Sequence, residues 1–112
     1  VVVVQEGTVM RIFVDGGVDA SGTLTGQAVL PETFTKPLYF GKSNHTFYED
    51  FRGKMADARL WNIALSQNEV IEFMQCPPQS SAEGLVGFWK MSEELDNTFV
   101  DHSPNRNNGQ LG

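Results

Sequence analysis

The sequence has little of three things that mark particular classes of protein. It contains a single cysteine, Cys76, so an internal disulfide is impossible and cysteine usage leaves the compartment open. Its apolar runs are far shorter than the roughly 20 residues of a membrane span, and the opening run at 1–4 lacks the flanks of a signal peptide. Cations are also scarce, since eight Lys and Arg against fourteen Asp and Glu give a net charge of −6. We therefore predict no nucleic-acid partner and no membrane insertion.

What the sequence does have is the composition of a turn-rich globular domain, with eight Phe, two Trp and eleven Gly. The run at 1–4 is β-branched throughout, as in a strand buried on both faces. Residues 9–15 alternate and end at Asp15-Gly16, a two-residue hairpin signal because glycine accepts a positive φ. Further short strands are predicted at 38–43, 54–62, 85–91 and 98–100. Many short strands between turns predict an antiparallel β-sandwich or jelly roll.

One segment has a helical pattern instead. Ser66 is a predicted N-cap, and Glu69 three residues later completes a capping box, with Leu65 and Val70 placed as a hydrophobic staple. Cys76 and the two prolines after it end the helix. We predict one short helix over about 66–75, with a buried side formed by Val70, Ile71, Phe73 and Met74. Cys76 is expected to be buried, as lone cysteines behind apolar helices usually are, unless it pairs outside this chain.

Three ordered motifs carry a family resemblance: "EGTVMRIFVDGGVDASGTLTG" from Glu6, "LYFGKSN" from Leu38 and "FRGKMADARLWNIALSQNEV" from Phe51. They resemble the concanavalin A-like lectin/glucanase superfamily, and within it the laminin-G-like and pentraxin-like domains. Residues 83–111, "EGLVGFWKMSEELDNTFVDHSPNRNNGQL", are similar to a segment that recurs in the same modules. The resemblance implies an all-β, antiparallel jelly-roll sandwich with one short helix.

The resemblance also implies a domain organisation. Residues 1–112 are expected to be the C-terminal part of one laminin-G-like sandwich, whose front strands would precede Val1. Residues 85–112 are expected either to close the same module or to begin a following tandem module. A half sandwich exposes apolar faces, so we expect other domains or chains to cover them.

For function, the resemblance implies a non-catalytic, lectin-like recognition or adhesion module that binds glycans or protein surfaces. The alternative is a structural assembly domain of a virion, appendage or surface layer, with no small ligand. A fragment of a glycoside hydrolase is the third possibility. The expected location is extracellular, on a cell surface or on a virion surface.

Catalytic motifs are missing from these residues. Glycosidases of the resembled fold carry carboxylates in the pattern E-x-D-x-x-E, which places them on one strand face beside the sugar bond. The nearest run, 92–96, is predicted to be a solvated turn. Asp57 and Arg59 are predicted to form structural cross-strand pairs, and His45 and His102 lie in separate loops without zinc-ligand spacing. We therefore predict that the chain is not an enzyme.

Candidate binding residues fall in the loop that follows the second motif. Asn44, His45 and Tyr48 combine amide, imidazole and aromatic groups, the composition of a sugar-binding loop. Asn44 also begins the N-glycosylation sequon Asn-His-Thr, which matters only in a secreted eukaryotic protein.

Calcium is the one cofactor that the resemblance raises. In pentraxin-like members an acidic stretch after the "LxxG" strand supplies most of the ligands, whereas positions 42–45 here hold no carboxylate. Glu49 and Asp50 lie slightly further on and could substitute, since Ca²⁺ requires carboxylate oxygens. The 101–109 loop is rich in Asp, Asn and Gly, and for it a turn-forming role is favoured over ion binding.

Overall fold

The computed structural model describes residues 1–25, 37–42 and 50–111, and of residues 93–95 only the backbone. In this part of the chain the strands form two antiparallel sheets, and a single helix lies between the first and second strands of the second sheet in sequence. Sheet A has the order β1 (Val2–Glu6), β2 (Val9–Val14), β3 (Gly17–Thr23). Sheet B has the order β4 (Ala58–Trp61), β5 (Leu85–Leu95), β6 (Thr98–Asp101), β7 (Gly109–Gln110), and helix α1 is Gln67–Gln75. The prediction of an all-β antiparallel fold with one short helix is confirmed.

Sheet A is built from two consecutive tight hairpins. The predicted turn at Asp15-Gly16 is present, with Val14 paired to Gly17 across it. Asp15 has φ 50° and Gly16 has φ 80°, the positive values that a two-residue hairpin turn of this kind needs. The turn therefore reverses the chain between β2 and β3, as the sequence indicated.

The opening β-branched run is a strand, but it is not buried on both faces. It pairs with β2, with Val2 opposite Phe13 and Val3 opposite Ile12. Val4 is only 5% exposed, whereas Val1 is 90% and Val3 59% exposed. The pleat sends alternate side chains to opposite faces, and the described residues cover only one of these faces.

Helix α1 covers the buried face of sheet A. Val4 and Phe13 of the sheet form one core cluster with Leu65 and Val70, the predicted staple pair. Ser66 is the N-cap of α1: its hydroxyl accepts from the Glu69 N–H, while the Glu69 carboxylate accepts from the Ser66 N–H at 2.8 Å. The predicted capping box is therefore confirmed.

Two expectations about the helix were wrong. Met74 is 52% exposed, because it lies at the outer edge of the face that α1 turns toward the sheet. Cys76 is exposed as well. It is the C-cap residue with an extended backbone (φ −127°), so it has already left the helical face that packs on the core.

Three strand boundaries also differ from prediction. Residues 38–42 and 54–57 are not in strands. The Asp57 N–H still donates to the Lys90 carbonyl of β5 at 3.2 Å, but Asp57 has φ 51°, which is outside the strand region, so β4 begins only at Ala58. In contrast, β5 continues through 92–95, where a turn was predicted. The turn lies at Asp96-Asn97, both with positive φ, which lets β5 and β6 pair up to Leu95 and Thr98.

Candidate functional site

An exposed apolar surface lies where the two non-strand segments 37–42 and 50–57 meet. We call it the aromatic surface, and its members are Leu38, Tyr39, Phe40, Phe51 and Met55. The segments are joined by a backbone hydrogen bond of 2.8 Å from the Phe51 N–H to the Gly41 carbonyl. A Cβ on Gly41 would stand 3.7 Å from Phe51 Cβ and 4.0 Å from Met55 Cε, so the segments are in van der Waals contact.

The rings of this surface are accessible to solvent, but neighbouring groups pack against them. Phe51 is 58% exposed, yet its ring lies so close over Gly53 that a Cβ there would stand 2.6 Å from it. Tyr39 is 44% exposed, and the Lys42 ammonium sits 5.9 Å from the centre of its ring, in cation–π range. A group of exposed apolar side chains of this kind commonly marks an interaction site.

Charged groups of both signs flank the aromatic surface along the chain. Lys42, Asp50, Arg52 and Lys54 are all exposed. They supply ammonium and guanidinium donors and a carboxylate acceptor next to the rings. A ligand that is apolar on one face and carries hydroxyl groups at its edge could use both kinds of contact.

The aromatic surface rests on sheet B through one contact between rings. Phe40, 42% exposed, meets Trp89 of β5 edge to face, with the ring centres 5.3 Å apart and the planes at 60°. Trp89 itself is only 7% exposed. One ring of the surface is therefore backed by the interior of sheet B.

Behind Trp89, a buried carboxylate organises the β6–β7 loop. Asp101 is fully buried. Its Oδ1 accepts from the N–H groups of Phe88 (2.9 Å) and Ser103 (2.8 Å), and its Oδ2 accepts from the Asn107 N–H (2.9 Å) and the Ser103 hydroxyl (2.9 Å). Burial on its own would raise the pKa of the Asp101 carboxyl, but these four donors together hold that pKa below its ordinary value.

Arg59 joins sheet B to α1 and does not face the aromatic surface as a free cation. Its Nη1 donates to the Phe73 carbonyl at 2.6 Å, and its guanidinium stacks 5.0 Å from the centre of the Phe88 ring. Burial lowers the pKa of Arg59, while the Asp57 carboxylate opposes that shift. Arg59 thus interacts electrostatically with Asp57, and its hydrogen bond goes to the last turn of a helix that has no basic residue there.

A groove of about 310 Å³ lies between sheet A and the start of α1. Arg11 lines it, but this guanidinium is already paired with Glu6 at 3.3 Å. The groove therefore presents a largely neutralised cation. The aromatic surface is therefore the stronger candidate for the functional site.

A comparison with family models shows the protein family to which the chain belongs. The laminin G-type model Laminin_G_3, described as the concanavalin A-like lectin/glucanases superfamily, matches residues 1–71. The chain belongs to this superfamily. No curated protein and no solved structure matches the chain.

Domains of the concanavalin A-like superfamily commonly bind carbohydrates or proteins, and the matched region contains sheet A, the aromatic surface and β4. Strands β5 to β7 lie beyond the match, so both predictions for 85–112, closing strands or a following module, stay open. Within the described residues, the helix is neither long nor apolar enough to cross a membrane.

The predicted ligand and metal residues fall largely outside the described part of the chain. Asn44, with its sequon, as well as His45, Tyr48 and Glu49, belong to the undescribed segment 43–49. Asp50 is described and is exposed beside Phe51. Within the described ranges the structure places no carboxylate, histidine or cysteine in a metal-binding cluster, so a calcium site at Glu49 and Asp50 stays a prediction.

Two features of the site were missed from sequence. The exposure of 38–42 was hidden because a short apolar run has the same pattern in a strand as on a surface. The Asp101 carboxylate had a readable signal, since aspartate commonly accepts from the backbone N–H two residues on, here Ser103. That signal predicts that the loop after Asp101 is ordered, but it does not show that the loop contacts Trp89.

Proposed function

We propose that this chain acts as a non-catalytic, extracellular recognition module whose aromatic surface binds glycans. The observation that carries the proposal is the set of exposed rings at Tyr39, Phe40 and Phe51, held in place by Gly53 and Trp89. Sugar rings stack on exposed aromatic faces, while their hydroxyl groups bond neighbouring polar side chains. Lys42 and Asp50 supply such groups next to the rings.

The size of the surface favours an oligosaccharide over a large protein partner. Aromatic side chains offer roughly 150–250 Å² each, so three rings exposed by 44%, 42% and 58% present about 300 Å². A standard protein interface takes about 800 Å² from each partner. The same surface could also bind a protein, but its area fits an oligosaccharide better.

The test is binding to a glycan array, followed by calorimetry with the best-binding sugar. We expect Phe51→Ala to weaken binding by about tenfold, because a stacked ring contributes on the order of 1 kcal/mol or more. Leu111→Ala is the matched control, since Leu111 is also 58% exposed and lies outside the surface. Equal affinities for the two variants would refute glycan binding at this surface.

Two further measurements test whether binding depends on calcium and whether the protein is extracellular. Repeating the titration with a calcium chelator tests Glu49 and Asp50, because a calcium-dependent site loses affinity when the ion is removed. Locating the protein in intact cells by surface labelling tests the extracellular assignment. Protein found only inside cells would contradict that assignment.

A structural assembly role is the second candidate, and a different surface supports it. The face of sheet A opposite α1 is apolar and uncovered by the described residues. We call it the open face, and its members are Val1, Val3, Met10, Ile12, Ala20 and Leu24. Val3 is 59% exposed there.

If the open face serves assembly, Val3→Asp should shift the protein toward monomer in analytical ultracentrifugation. Val18→Asp is the control, because Val18 is 49% exposed but lies opposite Phe13, on the other side of the sheet. A wild-type chain that sediments as a monomer at all concentrations would rule out self-assembly through the open face.

A further inference from the structure

Among the described residues, Trp89 is the aromatic residue that contacts the exposed ring of Phe40. Its contact with Trp89 is edge to face, the arrangement that aromatic pairs prefer. Because Phe40 follows a segment without strand hydrogen bonds, this contact fixes where its ring stands.

Trp89 is itself held from two sides. Its indole Nε1 donates to the Asn107 carbonyl at 2.9 Å. The far edge of the indole lies against Gly87, and a Cβ there would overlap Cη2, so no larger residue fits beneath the indole. The indole can therefore neither slide along β5 nor rotate without breaking its hydrogen bond.

Asn107 is in turn held by the buried carboxylate. Its N–H donates to Asp101 Oδ2 at 2.9 Å, and the Asp101 N–H donates to Asn108 Oδ1 at 3.0 Å. A continuous path of contacts thus runs from Asp101 through Asn107 and Trp89 to the exposed ring of Phe40.

We propose that Trp89, oriented by Asp101 through Asn107, is a positioning residue that sets the Phe40 ring for ligand binding. This inference rests on the proposed glycan-binding function. Trp89 does not contact the ligand itself. It determines whether Phe40 stands in the plane that a stacked sugar requires.

The first arm of the test reads the position of Phe40 without any ligand. A single 4-fluorophenylalanine at position 40 gives one fluorine resonance by NMR. We expect Trp89→Phe, which keeps a ring but removes the Nε1–H, and Asp101→Asn, which replaces an acceptor by a donor, to shift or broaden that resonance. Ser66→Ala, which loosens the remote helix cap, should leave it unchanged, although it lowers stability as well.

The second arm measures affinity by calorimetry for cellohexaose, laminarihexaose and maltohexaose. We expect Trp89→Phe and Asp101→Asn to lose about two- to tenfold, the range set by one aromatic pair, and Ser66→Ala to lose nothing. An unchanged Phe40 resonance in Asp101→Asn, which keeps the Trp89 ring, or the same shift in Ser66→Ala, overturns the inference. If Asp101→Asn does not fold, the affinity of the Trp89→Phe variant decides.

The two arms separate this inference from the proposed function. If none of the hexasaccharides binds the wild-type chain while the Phe40 resonance still shifts in Asp101→Asn, glycan binding fails for these sugars and the positioning by Trp89 stands. If a hexasaccharide binds and all three variants bind it with the wild-type affinity, the glycan-binding surface stands and the positioning role is refuted.

Discussion

Gly16 is a position where one added methyl group should measurably destabilise the fold. It has φ 80° in the β2–β3 turn, and a Cβ there would stand 2.9 Å from Ile71 Cγ1 and 3.4 Å from Met74 Cε of α1. In addition, the Gln67 side chain donates to the Gly16 carbonyl at 3.2 Å. Helix α1 therefore packs directly against the hairpin turn.

The magnitude for Gly16→Ala follows from three contributions. The left-handed backbone costs an L-residue about 1–2 kcal/mol, and overpacking against Ile71 and Met74 costs about 1–3 kcal/mol. The reduced entropy of the unfolded chain offsets about 0.4–1 kcal/mol. The net loss is roughly 3 kcal/mol, a large share of the 5–15 kcal/mol typical of a domain.

Urea unfolding followed by circular dichroism measures this loss, and Gly7→Ala is the matched control. Gly7 also has a positive φ, 58°, but nothing lies within 4 Å of its Cβ position. Its substitution should cost about 1 kcal/mol or less, from the backbone contribution alone. If the two variants lose the same free energy of unfolding, the tight seating of α1 on the turn is refuted.

Three other variants test the remaining contacts. Ser66→Ala should lower the free energy of unfolding by about 0.5–2 kcal/mol through loss of the N-cap, and an unchanged thermal melt would contradict the cap. Asp101→Asn should cost roughly 2–4 kcal/mol at neutral pH, since it leaves buried donors unsatisfied. The pKa of Asp101 is lower in the folded than in the unfolded chain, so its stabilisation is complete above pH about 4 and is lost as the pH falls through the folded value. The variant should therefore flatten the pH dependence of stability in acid, and parallel curves would disprove this account. Arg59→Met should cost about 1–3 kcal/mol and speed hydrogen exchange in the last turn of α1, where it removes the bond to the Phe73 carbonyl; unchanged exchange would show that the bond is unimportant.

Local signals in the sequence predicted those parts of the fold that depend on neighbouring residues. The Asp15-Gly16 turn and the Ser66–Glu69 capping box are both specified within four residues, and both are present. The staple between Leu65 and Val70 is of the same kind. In each case one residue type meets a backbone requirement that few others can meet.

Features that depend on distant partners could not be predicted in this way. Whether 38–42 forms a strand depends on a ladder partner, and periodicity carries no information about partners. The burial of Val3 depends likewise on what covers its face. The link from Asp101 to Phe40 joins residues 61 positions apart in number, and no short motif encodes it.

The seating of α1 on the β2–β3 turn has a consequence for the order of folding. Both hairpins of sheet A close over short separations, with Val14 next to Gly17 at the turn. The bond from Gln67 to Gly16, in contrast, spans 51 residues. Contacts of low sequence separation form fast, whereas long-range docking has to wait for chain closure. We therefore expect the hairpins to be present in the folding transition state before α1 arrives. The backbone part of the Gly16→Ala loss should then slow folding, whereas the part caused by overpacking against α1 should accelerate unfolding.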